Sequence, residues 1–172
     1  MHSVFLITGR PGCGKTSLLR QALAAYDGSA GGFFTEEIRR EGERLGFRLV
    51  TLDGQAAVLA HADLRRRHRV GRYGVDVRAL EAVGVAALRR AAPDTLAVID
   101  EIGKMELLSA PFREAVLEII SRGQRVLGTI LLNPHPWADG IKRQPQVRVE
   151  TLTRANRRQV EEALRQWLNY RH

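Results

Sequence analysis

The sequence predicts an α/β fold: a three-layer sandwich whose mainly parallel sheet is flanked by helices and carries an inserted antiparallel β-hairpin. Three observations support this. Short apolar runs at residues 3–8 (SVFLIT), 96–100 (LAVID) and 125–132 have the length and continuity of strands buried on both faces. Between them fall stretches whose apolar residues recur at helical spacing. One local segment, FFTEEIRREGERLGFRLVTLDG, instead sets two β-prone arms around a turn signal. Strands alternating with helices imply crossover connections and a parallel sheet.

Residues 3–8 form the first strand, and 15–26 a helix with Leu18, Leu19, Ala22 and Leu23 on one face. Small residues at 27–32 end that unit. The hairpin turns at Glu41-Gly42-Glu43, and Asp53-Gly54 sends the chain toward a third short strand at 57–60. Alternation puts Glu36 and Glu37 on opposite faces. Residues 62–75 are basic, glycine-punctuated and aperiodic, so a loop is expected. Asp76 caps a helix to Arg90 that turns Leu80, Val83, Ala87 and Leu88 toward the core. Pro93-Asp94 stops it ahead of the strand 96–100. Ser109 and Pro111 open a helix through Ile120. After the strand 125–132, residues 133–145 are expected as a loop and 147–152 as the last strand. Thr153 then caps a helix that aligns Val160, Leu164, Trp167 and Leu168.

Length allows one domain with a full core, spanning residues 1–172. Hydrophobic residues at 44% and charged residues at 27% describe a soluble globular chain. No apolar run approaches the ~20 residues of a membrane span, and the first residues lack a signal-peptide pattern, so a cytoplasmic location is expected. A single cysteine, Cys13, excludes an internal disulfide and a cysteine-rich metal site. The net charge of +8 raises the question of nucleic acid. Only Lys15, Lys104 and Lys142 are lysines, however, and the 6% of aromatic residues do not interleave with the arginines as a base-stacking platform would. Nucleic acid is therefore not the favoured partner, and a monomer is expected.

The chemistry sits in GRPGCGKTS, directly behind the first strand. Gly9, Gly14, Lys15 and Thr16 satisfy the G-x-x-x-x-G-K-[ST] spacing of a P-loop, which makes the expected fold that of a P-loop NTPase. Glycines let successive backbone N–H groups curl inward, and the helix N-terminus adds its partial positive charge. Gly9, Arg10, Pro11, Gly12, Cys13, Gly14, Lys15, Thr16 and Ser17 are thus the candidate phosphate cradle. Lys15 is suited to the β- and γ-phosphates and the Thr16 hydroxyl to Mg²⁺. Asp100 ends an apolar strand expected to lie beside that of the loop, where it would hold Mg²⁺ through water. Glu101, one residue on, is the candidate base for an attacking water. Asn156 and Arg157 open the last helix as candidate base contacts. An arginine stabilising transition-state charge is sought at Arg143, at Arg72 or within the run Arg65 to Arg69.

The blocks IDEIGKMEL, GFFTEEIRREGERLGFRLVTLDG and GRYGVDVRALE resemble the nucleoside-triphosphatase family that includes thermophile enzymes and the human cancer-related nucleoside triphosphatase. The resemblance implies Mg²⁺-dependent hydrolysis of ATP, GTP and other nucleoside triphosphates with loose base selectivity. It implies too that residues 9–16 bind the phosphates, Asp100 assists Mg²⁺ and Glu101 is the base. After Ile130 this chain departs from the family's basic and histidine run: it reads LLNPHPWADGIKRQP, with His135 among prolines and Lys142 and Arg143 retained. Two other readings share the loop: a nucleoside or nucleotide kinase, and a nucleotide-switched RNA-binding module.

Overall fold

SVFLIT becomes β1 (Val4–Thr8), and all five of its residues are buried. Its alternation divides the interior. Val4 and Leu6 enter one core, with Phe33, Leu80, Leu88, Phe112 and Ile119, while Phe5 and Ile7 enter another, with Leu18, Leu19, Leu164 and Trp167. These two cores are the two faces of one sheet, which makes the three layers. Full burial of each such side chain contributes about 1.5–3 kcal/mol, so the alternation of this strand fixes which helices lie on which face.

The computed structural model describes residues 1–170; Arg171 and His172, the end of the expected domain span, lie outside them. The further strands are β2 (Ala30–Arg40), β3 (Glu43–Thr51), β4 (Ala56–His61), β5 (Arg69–Val70), β6 (Tyr73–Val75), β7 (Leu96–Ile102), β8 (Val126–Ile130) and β9 (Val147–Thr151). They form one sheet of nine strands in the order β5-β6-β4-β3-β2-β7-β8-β1-β9. From β2 to β9 the pairing is parallel; from β2 outward through β3, β4, β6 and β5 it is antiparallel. The helices are α1 (Lys15–Ala24), α2 (Val77–Ala79), α3 (Ala86–Arg90), α4 (Ala110–Ser121), α5 (Pro136–Lys142) and α6 (Arg157–Asn169), with a π-helical turn at Leu80–Val85 joining α2 to α3. Among the described residues no helix is long and apolar enough to cross a membrane.

The hairpin is the sheet's own continuation. The start of β2 pairs with β7, with Phe33 opposite Ile99, and its remainder runs past the carboxyl end of β7 to pair with β3. Glu41 and Gly42 both take positive φ at the turn, 51° and 79°, as a two-residue turn matched to strand twist requires. Glu36 pairs with Arg20 and Arg48, and Glu37 with Arg39 and Arg44, in keeping with opposite faces.

Three expectations are corrected. Residues 62–75 are not all loop: β5 and β6 pair as a small hairpin with Val70 opposite Tyr73. Residues 133–145 contain α5, begun by Pro136, whose fixed φ suits a first helical position. And Thr153 does not cap α6 directly. Its hydroxyl accepts from Asn156 N–H, its own N–H donates to Asn156 Oδ1, and the helix begins only at Arg157.

Candidate active site

The loop between β1 and α1 is shaped by close approach. A Cβ on Gly9 would lie 2.7 Å from the Leu152 carbonyl oxygen and 2.8 Å from Cys13 Sγ, so only glycine fits between the loop and the end of β9. Gly14, at φ 94°, takes the left-handed conformation that swings the chain into α1. No side chain caps this helix and no acid stands in its first turn, so its leading N–H groups face the loop's concavity. Lys15 folds back over that concavity, donating from Nζ to the carbonyls of Gly9 (2.9 Å) and Arg10 (3.2 Å). Arg10, Pro11, Gly12 and Ser17 are exposed around the mouth.

Asp100 sits at the carboxyl end of β7, 2% exposed. The expected adjacency to β1 is corrected: β8 lies between the two strands. The gap is closed by side chains. Thr16 Oγ1 donates to Asp100 Oδ2 at 2.8 Å, and Thr129 Oγ1, on the intervening β8, donates to Oδ1 at 2.7 Å. Thr35 of β2 donates to the Asp100 carbonyl. Burial pushes the Asp100 carboxyl above its ordinary range, against the hydrogen bonds from Thr129 and Thr16. Sequence reasoning missed Thr129 and Thr35, because a threonine in a strand reads as an ordinary β-former.

The donor set suits a hard divalent cation. A hydroxyl and a carboxylate oxygen 2.8 Å apart beside a phosphate cradle are the few protein oxygens that Mg²⁺ uses when phosphates and water supply the rest. Among the described residues no cluster of three or more His, Cys, Asp or Glu forms a separate metal cage. Thr16 and Asp100 are the residues that would hold the ion.

Glu101, half-buried, lies within electrostatic reach of Lys15. Burial raises its pKa, the Lys15 ammonium opposes that, and the Asp100 charge adds to it. Its carboxylate folds over Gly103, where a Cβ would fall 2.5 Å from Glu101 Oε1. Behind the same turn lies Glu106, 4% exposed and absent from the candidates drawn from the sequence. Burial and then the Glu101 charge drive Glu106 well above the ordinary range, while hydrogen bonds from its own N–H and that of Gly103 pull the other way. A glutamate in a short polar–apolar stretch gave no signal of such burial.

Arg157 reaches back to α1, donating to the Gly14 carbonyl at 3.3 Å and to Gln21 Oε1 at 3.4 Å. The Asn156 amide is engaged by its own loop, through Thr151 O at 2.8 Å and Thr153 N–H at 2.7 Å. Arg72 pairs with Glu43, Arg66 with Asp76, and Arg69 donates to the carbonyls of Leu64 and Arg72. All three lie around β5 and β6, beyond β4, and none of these bonds reaches the loop 9–14. Arg143 is exposed at the end of α5, with no ion pair among the described residues. Its neighbour Lys142 donates to Leu131 O at 2.8 Å, just past the carboxyl end of β8.

A family model described as NTPase matches residues 4–164. This chain belongs to that nucleoside-triphosphatase family. Family members similar to it include the nucleoside-triphosphatase THEP1 of Thermotoga sp. strain RQ2, 46% identical over 88% of this chain and 87% of that protein. The human cancer-related nucleoside-triphosphatase is 39% identical over 90% of each chain. The crystal structure of THEP1 from Aquifex aeolicus superposes with a TM-score of 0.88 at 34% identity, covering 97% of this chain and 99% of that one. The solution structure of the human family member gives 0.82 at 36% identity, covering 98% of both. The fold and the nucleoside-triphosphatase assignment rest on full-length likeness, not on the loop alone.

Proposed function

We propose that this nucleoside-triphosphatase hydrolyses ATP, GTP and other nucleoside triphosphates to the diphosphate and inorganic phosphate, with Mg²⁺ and loose base selectivity, as a monomer. The observation that carries the reading is the convergence of Lys15, Thr16, Asp100 and Glu101 on one phosphate cradle. Loose selectivity is supported by Asn156, whose amide is held by its own loop's backbone.

In this reading the N–H groups of the loop and of the first turn of α1 bind the β- and γ-phosphates. Lys15, released from the Gly9 and Arg10 carbonyls, moves onto them. Thr16 and Asp100 would hold Mg²⁺, which would supply neutralisation of phosphate charge. Glu101 orients a water in line with the γ-phosphorus and takes its proton. A new P–O bond forms from that water as the bond to the β-phosphate oxygen breaks. The raised pKa of Glu101, set by burial against the opposing Lys15 ammonium, makes it a stronger base than an ordinary carboxylate. Arg143, free of the local pairings that hold Arg66, Arg69 and Arg72, is the assigned transition-state cation.

The test is steady-state phosphate release from ATP, GTP, CTP and UTP by the wild type beside Glu101→Gln, without acceptor and with or without EDTA. Turnover of all four by the wild type, loss with EDTA, and a fall of about two orders of magnitude or more in Glu101→Gln with nucleotide still bound are expected. Product formation only on adding a nucleoside or nucleotide acceptor would replace hydrolysis by phosphoryl transfer.

A further inference from the structure

We propose that Gly103 is a positioning residue for Glu101, because it leaves open the space that the Glu101 carboxylate occupies. The proposal rests on the reading of Glu101 as the base.

At Gly103 the three atoms nearest a built Cβ all belong to the Glu101 side chain: Oε1 at 2.5 Å, Cγ at 3.1 Å and Cδ at 3.2 Å. Gly103 is not in the left-handed region, unlike Gly9, Gly12 and Gly14, so its backbone conformation does not demand glycine. The Glu101 side chain does. A methyl group there meets the movable end of a side chain rather than backbone, so the turn persists and the carboxylate is displaced.

The turn itself is fastened through the Gly103 carbonyl, which accepts from Leu107 N–H at 3.0 Å. Glu106 is buried in the 3-10 turn Glu106–Leu108, and its carbonyl accepts from Ser109 N–H at 3.1 Å, which ties the segment to the start of α4. Displacing the Glu101 carboxylate has a large effect, since misplacing a reacting group by about 1 Å costs on the order of 10²-fold in rate.

The experiment measures kcat, KM and nucleotide Kd for Gly103→Ala in the wild type and in Glu101→Gln. Gly103→Ala is expected to lower kcat about tenfold or more, with Kd within about twofold, and to add nothing to Glu101→Gln. The proposal is overturned if Gly103→Ala turns over within about twofold of wild type, if its loss is as large in the Glu101→Gln background, or if Kd changes in place of kcat. Failure of the underlying reading has its own signature, unaltered turnover in Glu101→Gln alone.

Discussion

Thr16 and Asp100, 84 positions apart in sequence, are joined by a 2.8 Å hydrogen bond from hydroxyl to carboxylate. Thr16 lies in the first turn of α1 and Asp100 near the carboxyl end of β7, so the bond ties the loop after β1 to a strand two places away in the sheet. It also sets side by side the two oxygens that Mg²⁺ is expected to take from the protein. Asp100→Asn should keep nucleotide binding, shift half-maximal Mg²⁺ upward and lower turnover about tenfold or more. Thr16→Ser, which keeps the hydroxyl, should stay near wild type. Mg²⁺ titrations of phosphate release check both, and equal Mg²⁺ dependence in wild type and Asp100→Asn would remove Asp100 from the metal site.

Thr129 completes the environment of the same carboxylate. Thr129→Val preserves shape but deletes the donor to Oδ1, leaving a buried acceptor without its partner. The expected cost is about 1–3 kcal/mol of stability, read as a lowered Tm. The lost bond is one that lowers the Asp100 pKa, so that pKa should rise further. An unchanged Tm would show that Oδ1 does not depend on this hydroxyl.

Legibility followed the range of the interactions. The loop, Asp100 and Glu101 could be read because spacing within a few residues, directly behind an apolar run, specifies them. The cap by Asp76 on Ala79 N–H and that by Ser109 on Phe112 N–H were legible for the same reason. The placement of β8 between β1 and β7 was not, since strand order depends on pairing between distant segments. Nor were β5 and β6, two and three residues long, too short to show a period inside a basic run. Nor was α5, seven residues long within the expected loop 133–145, where Pro136 opens the helix. Glu106 was hidden because nothing local distinguishes a buried glutamate from a solvated one.

Arg143, at the end of α5 near the carboxyl end of β8, has no ion pair among the described residues, whereas Arg66 and Arg72 are bound to Asp76 and Glu43. The run Arg65 to Arg69 leads into β5, beyond β4. As the transition-state cation, Arg143→Ala should lower kcat by ~10³-fold with little change in nucleotide affinity. Arg72→Ala, which removes an exposed pair, should leave turnover near wild type. A kcat loss under about threefold in Arg143→Ala would exclude it, because a cation at the transferring phosphate is worth far more.

Glu106 also makes a prediction about folding that is independent of turnover. Its pKa in the folded protein is raised well above the ordinary range, first by burial and then by the Glu101 charge. In the unfolded chain it titrates near the usual ~4.3. Below that pH both states hold the proton and the group has no net effect on the pH slope. Above it the unfolded chain releases the proton while the folded one keeps it, so more protons are bound in the native state and stability falls as pH rises. Within that window the slope is about 1.4 kcal/mol per pH unit, until the folded carboxyl ionises as well. Glu106→Gln cannot titrate and lacks this slope. Its Tm relative to wild type should therefore climb as pH is raised from about 4, by thermal unfolding in matched buffers at constant ionic strength. A Tm difference that stays flat from about pH 4 to 8 would mean that the folded protein does not hold Glu106 in its protonated form.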